Sequence, residues 1–202
     1  MVKRDVVTIS REFGSGGRTI GRMVAEKLGY AFYDQELIVK VAKQSGLAEQ
    51  IVEKYDEYAT HKNSLLYALA LSAGTGQFGG VSFVNKVQAA QSQIITELAD
   101  NGKCVIVGRC ADYVLRGRED CLHALIYADT QFRADRIVRV YGETAQKPEQ
   151  RLRDKDERRK LYYRSFTMRE WGDMHNYHIA LDSGVLGIER CAQILIDLIQ
   201  EQ

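Results

Sequence analysis

A strand followed at once by a glycine-rich loop and a helix, VVTISREFGSGGRTIGRMVAEKLG at 6–29, constrains the fold of this chain most. Glycine adopts positive φ angles easily, so successive backbone N–H groups in such a loop can converge on one anion. The N-terminus of the following helix adds a partial positive charge. This order predicts a phosphate-binding loop with Gly14, Ser15, Gly16 and Gly17 as backbone donors, and a tight turn without a ligand is the simpler alternative.

The end of this loop resembles a Walker A motif, with Gly17, Arg18 and Thr19 where that motif has Gly, Lys and Ser or Thr. Glu12 stands where the first glycine of the motif would fall. Arg18 carries its charge on a bulkier planar fork than lysine does, and it can still neutralise phosphate. We therefore expect Arg18 to act on the phosphates of ATP, and Thr19 to contact a Mg²⁺ ion that bridges them.

A dinucleotide-binding loop is an alternative for the same segment. Gly14 and Gly16 begin a GxGxxG pattern, and Asp34 closes the second strand about twenty residues later. Thr19 occupies the position of the last glycine, which weakens this interpretation.

Five β-rich runs alternate with segments of helical length along the chain. Apolar runs of this kind are typical of strands that are buried on both faces of a parallel sheet, so an α/β fold is predicted. The first helix should begin near Gly17 and end at Gly29, and 186–199 should form a closing helix. The five runs are 6–10, 30–34, 104–108, 123–128 and 178–182.

Composition narrows the class of protein. The 202 residues suffice for one α/β domain, and 28 basic against 27 acidic residues give no overall positive field for a long nucleic acid. Four widely spaced cysteines form no CxxC pair, which argues against a zinc site and a disulfide framework. The start lacks the apolar run of a signal peptide, and no stretch is long enough to span a membrane. We expect a cytoplasmic protein with neither nucleic acid nor membrane as partner, and its oligomeric state cannot be read from the sequence.

Besides the glycine-rich loop, five segments of the chain carry a family resemblance. They are FYDQELI at 32–38, VIVGRCADYVL at 105–115, YADTQFRADRIVRV at 127–140, RDKDERR at 153–159 and IALDSGVLGIERCAQILIDLI at 179–199. Taken together with the loop, these segments resemble the cytidylate kinase-like branch of the P-loop nucleoside-monophosphate kinases. The resemblance implies a P-loop kinase fold, a five-stranded parallel sheet flanked by helices, in one domain spanning 1–202. It also implies a helical acceptor-binding excursion at 35–101, a lid at 141–175, and a core formed by 1–34, 102–140 and 176–202.

Two residues at predicted strand ends are candidates for binding the acceptor. Ligands collect beyond the carboxyl ends of parallel strands, where Asp34 and Arg109 are expected. Arg109 suits a two-pronged clamp on the acceptor phosphate, as in similar kinases, or it is a surface arginine. Asp34 suits contact with an acceptor hydroxyl or a magnesium-bound water, or it caps the next helix. Cys110 and Asp112 stand near the position where close relatives have an aspartate.

Further arginines fall on two predicted helices. Arg133, Arg136 and Arg139 are spaced by three residues, so they share one side of a helix, with Arg133 and Arg136 the better candidates for binding ATP. In the charged stretch at 151–164, the resemblance implies that Asp156 contacts the acceptor nucleotide and that Arg159 reaches phosphates. A solvated helix face is the alternative for both sets.

The resulting hypothesis is transfer of the γ-phosphoryl group of ATP to CMP or dCMP, with Arg18, Arg109 and Arg159 as catalytic residues. No covalent intermediate is needed, because positioning and electrostatics suffice for an acceptor that is already an anion. One alternative is a P-loop kinase for another nucleotide or a small metabolite. The other is a regulatory nucleotide-binding module with little transfer activity, because the Walker lysine is missing.

Overall fold

The computed structural model of the chain describes residues 4–34 and 79–201. Most of the predicted acceptor-binding excursion therefore lies outside the described residues. The strands are β1 (Val6–Arg11), β2 (Ala31–Tyr33), β3 (Cys104–Val107), β4 (Cys121–Tyr127) and β5 (Ile179–Asp182). The helices are α1 (Gly17–Leu28), α2 (Gly79–Asp100), α3 (Ala111–Val114), α4 (Thr130–Tyr141), α5 (Pro148–Thr167), α6 (Ser183–Leu186) and α7 (Ile188–Gln200), with a 3₁₀ turn at Met174–Asn176.

The five strands form one parallel sheet in the order β2-β3-β1-β4-β5. β1 lies at the centre, where Val6 is opposite Cys104 of β3 and Cys121 of β4. The predicted five-stranded parallel sheet is confirmed. β4 begins two residues before the predicted run, because Cys121 and Leu122 are buried and continue its apolar pattern.

Helices pack on both faces of the sheet. Val7 and Ile9 of β1 point to the face covered by α1 and α7, where they pack with Ile20. Val6 points to the opposite face and packs among apolar residues of α2, including Ile95. Alternate side chains of β1 therefore belong to two separate apolar cores, as expected for a strand with both faces covered.

Helix α1 matches its predicted bounds. It begins at Gly17, and Gly29 follows it with φ +69° as a left-handed cap. Ile20 and Val24 are fully buried on its inner face. These bounds fix where the N-terminus of α1 meets the glycine-rich loop.

The segment predicted as a lid contains α5, which packs against α4. The closing helix is α7, two residues later than predicted at its start. The division into core, excursion and lid remains a prediction. Within the described ranges, no helix has both the length and the apolar character that a membrane span requires.

Candidate active site

A cavity of about 300 Å³ opens where the loop after β1 meets the start of α1. Its wall also includes Asp34 after β2 and Val107 at the end of β3, so it lies beyond the carboxyl ends of neighbouring strands, as expected for this class of sheet. Eight predicted site residues contribute to the wall, whereas Ser15, Arg109, Arg133 and Asp156 do not. The eight are Gly14, Gly16, Gly17, Arg18, Thr19, Asp34, Arg136 and Arg159.

The loop has the backbone shape that an anion cradle requires. Gly14 and Gly16 have φ angles of +87° and +85°, which residues with a Cβ rarely adopt. Among the described residues, no protein acceptor receives a hydrogen bond from the amides of Gly14, Gly16, Gly17 or Thr19. These donors, at the wall of the cavity, are available to bind the oxygens of a ligand.

Ser15 anchors the glycine-rich loop to the rest of the protein. Its side chain is fully buried, and its hydroxyl lies within hydrogen-bonding distance of the carbonyl oxygens of Glu12 at 2.9 Å and Ile126 at 3.0 Å. Its own carbonyl oxygen accepts a hydrogen bond of 2.6 Å from the Ser183 hydroxyl. These contacts tie the loop to β4 and α6, and they direct the Ser15 hydroxyl away from the cavity.

Arg18 and Asp34 form an ion pair at the cavity wall. The Arg18 Nε and Nη2 atoms lie 2.8 and 2.6 Å from the same oxygen of Asp34. The Arg18 side chain is 47% exposed and that of Asp34 is 11% exposed. Two residues that the sequence assigns to different substrates therefore contact each other.

Arg136 reaches from α4 to the first turn of α1. Its Nη2 donates a hydrogen bond of 2.9 Å to the Thr19 hydroxyl, and its guanidinium lies close to Gly16. Arg139, three residues later, is exposed. Of the three arginines that the sequence places on one side of this helix, Arg136 lines the cavity.

A buried carboxylate joins α5 to the loop. The Asp156 oxygens accept from the Phe13 amide at 2.8 Å, from Arg133 Nη1 at 2.5 Å and from Arg159 Nη1 at 3.3 Å. Arg133 Nε also lies 3.4 Å from Glu12. The carboxylate of Asp156 and the guanidinium of Arg133 are thus bound by protein groups, and their predicted contacts with nucleotides remain predictions.

Arg159 faces both this cluster and the cavity. Its Nη1 donates to the carbonyl oxygen of Arg11 at 3.0 Å, and burial lowers the pKa of its guanidinium, which Asp156 partly offsets. Because the middle of α5 brings a cation to the cavity wall without any loop movement, the helix already covers part of the site.

The turn after β3 is strained. Gly108, Arg109 and Cys110 have φ angles of +77°, +59° and +56° in succession, and two of these residues carry a Cβ. Left-handed conformations of this kind cost free energy and are concentrated at functional sites. The Arg109 guanidinium lies 5.2 Å from the centre of the Tyr162 ring of α5. The turn aims Arg109 toward α5.

Asp112 lies in α3, directly after this turn, and is buried. It accepts a hydrogen bond of 2.7 Å from the Tyr163 hydroxyl, while Ser10 lies at 3.5 Å. Burial raises the pKa of the Asp112 carboxyl. Asp112 and Tyr163 thus link the turn to α5, as Tyr162 and Arg109 do.

Five residues at the cavity wall were not predicted as site residues from the sequence: Arg11, Glu12, Phe13, Val107 and Tyr141. Arg11 is the last residue of β1, and Phe13 and Tyr141 stack with ring centres 5.7 Å apart. The sequence feature that could have identified Arg11 as a site residue is its charge at the end of the strand that leads into the glycine-rich loop. The contact between Phe13 and Tyr141 joins residues far apart in sequence, and no local pattern indicates it.

Comparisons with known proteins agree with this arrangement. A family model described as the cytidylate kinase-like family matches residues 6–185. A cytidylate kinase from Archaeoglobus fulgidus is 25% identical over 201 residues, which cover 96% of this chain and 94% of that protein. Both matches extend over nearly the whole chain.

Solved structures share the fold at low sequence identity. The crystal structure of an uncharacterized protein from Eubacterium ventriosum is similar with a TM-score of 0.73 at 22% identity, over 98% of this chain and 100% of that one. A shikimate kinase from Acinetobacter baumannii, in complex with shikimate, has a TM-score of 0.52 at 17% identity, over 98% and 94% of the two chains. The fold is that of the P-loop kinases.

Proposed function

Because this chain belongs to the cytidylate kinase-like family, we propose that it transfers the γ-phosphoryl group of ATP to CMP or dCMP. One observation carries the proposal. Backbone amides that donate to no described protein acceptor and the guanidinium groups of Arg18, Arg136 and Arg159 line the same cavity. That combination suits a polyanion such as a triphosphate.

The loop and α1 bind the donor. The amides of Gly14, Gly16 and Gly17 surround the phosphates, and the partial positive charge of the α1 N-terminus favours them. Arg136, which donates to the Thr19 hydroxyl, and Arg18, which pairs with Asp34, line the same cavity as this loop. The protein thus provides fixed positive charge before ATP arrives, which costs no reorganisation during the reaction.

Transfer is an in-line displacement. An oxygen of the acceptor phosphate donates a lone pair to the γ-phosphorus, while the bond from that phosphorus to the β,γ-bridging oxygen breaks. The bonding electrons leave on that oxygen, which becomes part of ADP. The acceptor phosphate is already ionised at neutral pH, so no side chain has to remove a proton, and Arg18 and Arg159 stabilise the charge on the transferring group.

The residues at the cavity wall fit a magnesium ion that is held mainly by phosphates. Thr19 offers a hydroxyl oxygen and Asp34 a carboxylate, while no group of three or more His, Cys, Asp or Glu among the described residues could hold a metal alone. Magnesium commonly binds in this way, with one or two protein ligands, phosphates and water. When bound, it neutralises phosphate charge and helps to orient the transferring group.

On the acceptor side, Arg109 and Asp34 follow β3 and β2. We assign Arg109 to the acceptor phosphate and Asp34 to an acceptor hydroxyl or a magnesium-bound water. Arg109 belongs to the strained turn after β3, and its guanidinium lies over the Tyr162 ring of α5. Asp156 is assigned to the same acceptor only through the family pattern, because its oxygens bind Phe13, Arg133 and Arg159.

A coupled assay for ADP with ATP and magnesium tests this function over a panel of nucleoside monophosphates and small hydroxylated metabolites. We expect CMP and dCMP to have the highest kcat/KM. A different preferred acceptor would refute the specificity while leaving a kinase. Tight ATP binding without ADP formation from any acceptor would instead favour a regulatory nucleotide-binding module.

A small-metabolite acceptor is the second candidate, and one feature of the site favours it. Asp34 lies at the cavity wall, where a carboxylate can accept a hydrogen bond from an alcohol, and the structurally similar shikimate kinase binds an acceptor that is not a nucleotide. The same panel separates the two candidates.

A further inference from the structure

Arg11 crosses the floor of the cavity between two glycines. It ends β1, and a Cβ built on Gly17 would lie 2.5 Å from the Arg11 Cβ. A Cβ built on Gly108 would collide with the Arg11 guanidinium. The side chain therefore runs from the start of α1 to the end of β3, through space that exists because both positions lack a side chain. It spans the distance between the donor cradle and the acceptor side.

Among the described residues, no carboxylate balances the charge of Arg11. Burial lowers the pKa of its guanidinium to about 9, and the nearby cations Arg159 and Arg109 lower it further, whereas Asp34 acts in the opposite direction. Asp34 is already bound by Arg18. In the part of the chain that the structure describes, no carboxylate lies within ion-pair distance of Arg11.

A buried guanidinium whose charge is not balanced by a carboxylate, and which lies near other cations, raises the free energy of the folded protein without a ligand. Such an arrangement becomes favourable when a polyanion binds between the guanidinium groups. The phosphate loop already provides a polyanion site at the same cavity. Arg11 is therefore placed to contact phosphate oxygens rather than to stabilise the fold.

We propose that Arg11 contacts the transferring phosphoryl group and supplies the positive charge that a lysine provides in a Walker A loop. Arg18, which occupies the position of that lysine, is paired with Asp34, so that Arg11 adds a second cation to the one that Arg18 offers. Arg11 reaches the same region from the strand and lies beside both the donor loop and the end of β3. This inference rests on the proposed kinase function and adds a phosphate-binding residue to it.

The test compares Arg11→Met and Arg11→Lys with Arg139→Met, which removes an exposed arginine outside the cavity wall. Isothermal titration calorimetry with inorganic tripolyphosphate, without magnesium, reports on phosphate binding alone. We expect Arg11→Met to weaken this affinity by about 10- to 100-fold, as for loss of a charge-assisted hydrogen bond, and Arg11→Lys to weaken it less. Arg139→Met should bind like the wild type.

A second readout separates binding from a structural role. Because Arg11→Met removes a cation from a repelling cluster, its melting temperature without ligand should equal or exceed that of the wild type. A lower melting temperature with unchanged tripolyphosphate affinity would overturn the inference. If Arg11→Met does not fold, wild-type affinity and turnover in Arg11→Lys would overturn it, and a weakened affinity there would support it.

The two proposals fail in different ways. If the wild type binds tripolyphosphate but phosphorylates no nucleotide, the proposed function fails while the binding test on Arg11 can still be interpreted. If the wild type phosphorylates CMP and Arg11→Met does so at the same rate, the kinase stands and the role of Arg11 is refuted.

Discussion

Arg18 binds Asp34 through two of its nitrogens, Nε at 2.8 Å and Nη2 at 2.6 Å, both to one carboxylate oxygen. The pair joins the first turn of α1 to the end of β2. Since nearly half of the Arg18 side chain is exposed, solvent screens the pair, and its contribution to stability is below about 1 kcal/mol. The phosphates of ATP can therefore draw Arg18 away from Asp34 at little cost in free energy. Binding of ATP is then linked to whether Asp34 is paired with Arg18.

Replacing Arg18 with alanine should lower turnover strongly and leave the fold intact. Loss of one preorganised donor to a reacting group typically costs roughly 100-fold in kcat. The melting temperature should change little, because the pair is half-exposed. A coupled ATP assay and thermal denaturation measure both effects. Arg22→Ala is the matched control, an exposed arginine one turn along α1, and turnover like the wild type in Arg18→Ala would refute the role of Arg18.

The Arg18–Asp34 pair also predicts non-additive kinetics. We expect Arg18→Ala, Asp34→Ala and the double variant to form a cycle in which the double variant loses less kcat/KM than the sum of the single losses. The physical reason is that Asp34 positions Arg18. Part of the effect of replacing Asp34 therefore disappears once Arg18 is absent. Steady-state kinetics with both substrates varied measure the coupling. Strict additivity would mean that each residue acts on its own substrate and that the ion pair has no part in turnover.

Loss of Asp156 should destabilise the protein. Asp156→Ala leaves the buried Arg133 with two weaker contacts, to the Glu12 carboxylate and to the Phe13 carbonyl oxygen, each 3.4 Å away, and it removes the acceptor for the Phe13 amide. Breaking a buried ion pair from one side costs several kcal/mol, so we expect a loss of about 3 kcal/mol in the free energy of unfolding. Urea denaturation measures it.

Glu157→Ala is the matched control for Asp156→Ala. Glu157 is the next residue on α5, and its pair with Lys160 is exposed, so its loss should cost less than about 0.5 kcal/mol. Equal stability of the two variants would contradict the structural role of Asp156. A raised KM for the acceptor at normal stability would favour the nucleotide contact that the family pattern implies.

The sequence predicted the elements that depend on local pattern. The strands and α1 follow from apolar runs and from glycines at both ends of the helix, and the structure confirms them. The contact between Asp156 and Phe13 joins residues 143 positions apart, and which atoms Asp156 meets depends on how α5 packs. Arg11 was missed for a similar reason, because its path depends on the absence of a side chain at Gly108, in the turn after β3.

The buried His123, which lies beside the exposed His178, predicts how stability depends on pH. His123 on β4 lies 4.8 Å from the ring of His178, and its Nδ1 lies 2.8 Å from the Thr8 hydroxyl. Burial, and the proximity of His178, lower the pKa of His123 to about 4 from a usual value of 6.5. The folded protein therefore keeps His123 neutral at a pH where the unfolded chain is protonated.

The unfolded state binds more protons in this range, so the free energy of unfolding rises with pH. The contribution of His123 is fully present above about pH 6.5 and is lost as the pH falls toward 4. The shift corresponds to a contribution on the order of 3 kcal/mol. Urea denaturation at several pH values between 4 and 7 should show a shallower slope for His123→Gln than for the wild type.

Comparing the pH slopes of the wild type and His123→Gln separates the contribution of His123 from that of other groups that titrate in the same pH range. Burial raises the pKa values of the Glu12 and Asp112 carboxyls, so these groups favour the folded state at low pH and oppose the slope due to His123. Both carboxyls are present in the variant, and their contribution cancels in the difference. Equal slopes for His123→Gln and the wild type would show that His123 is protonated as easily in the folded protein as in the unfolded chain.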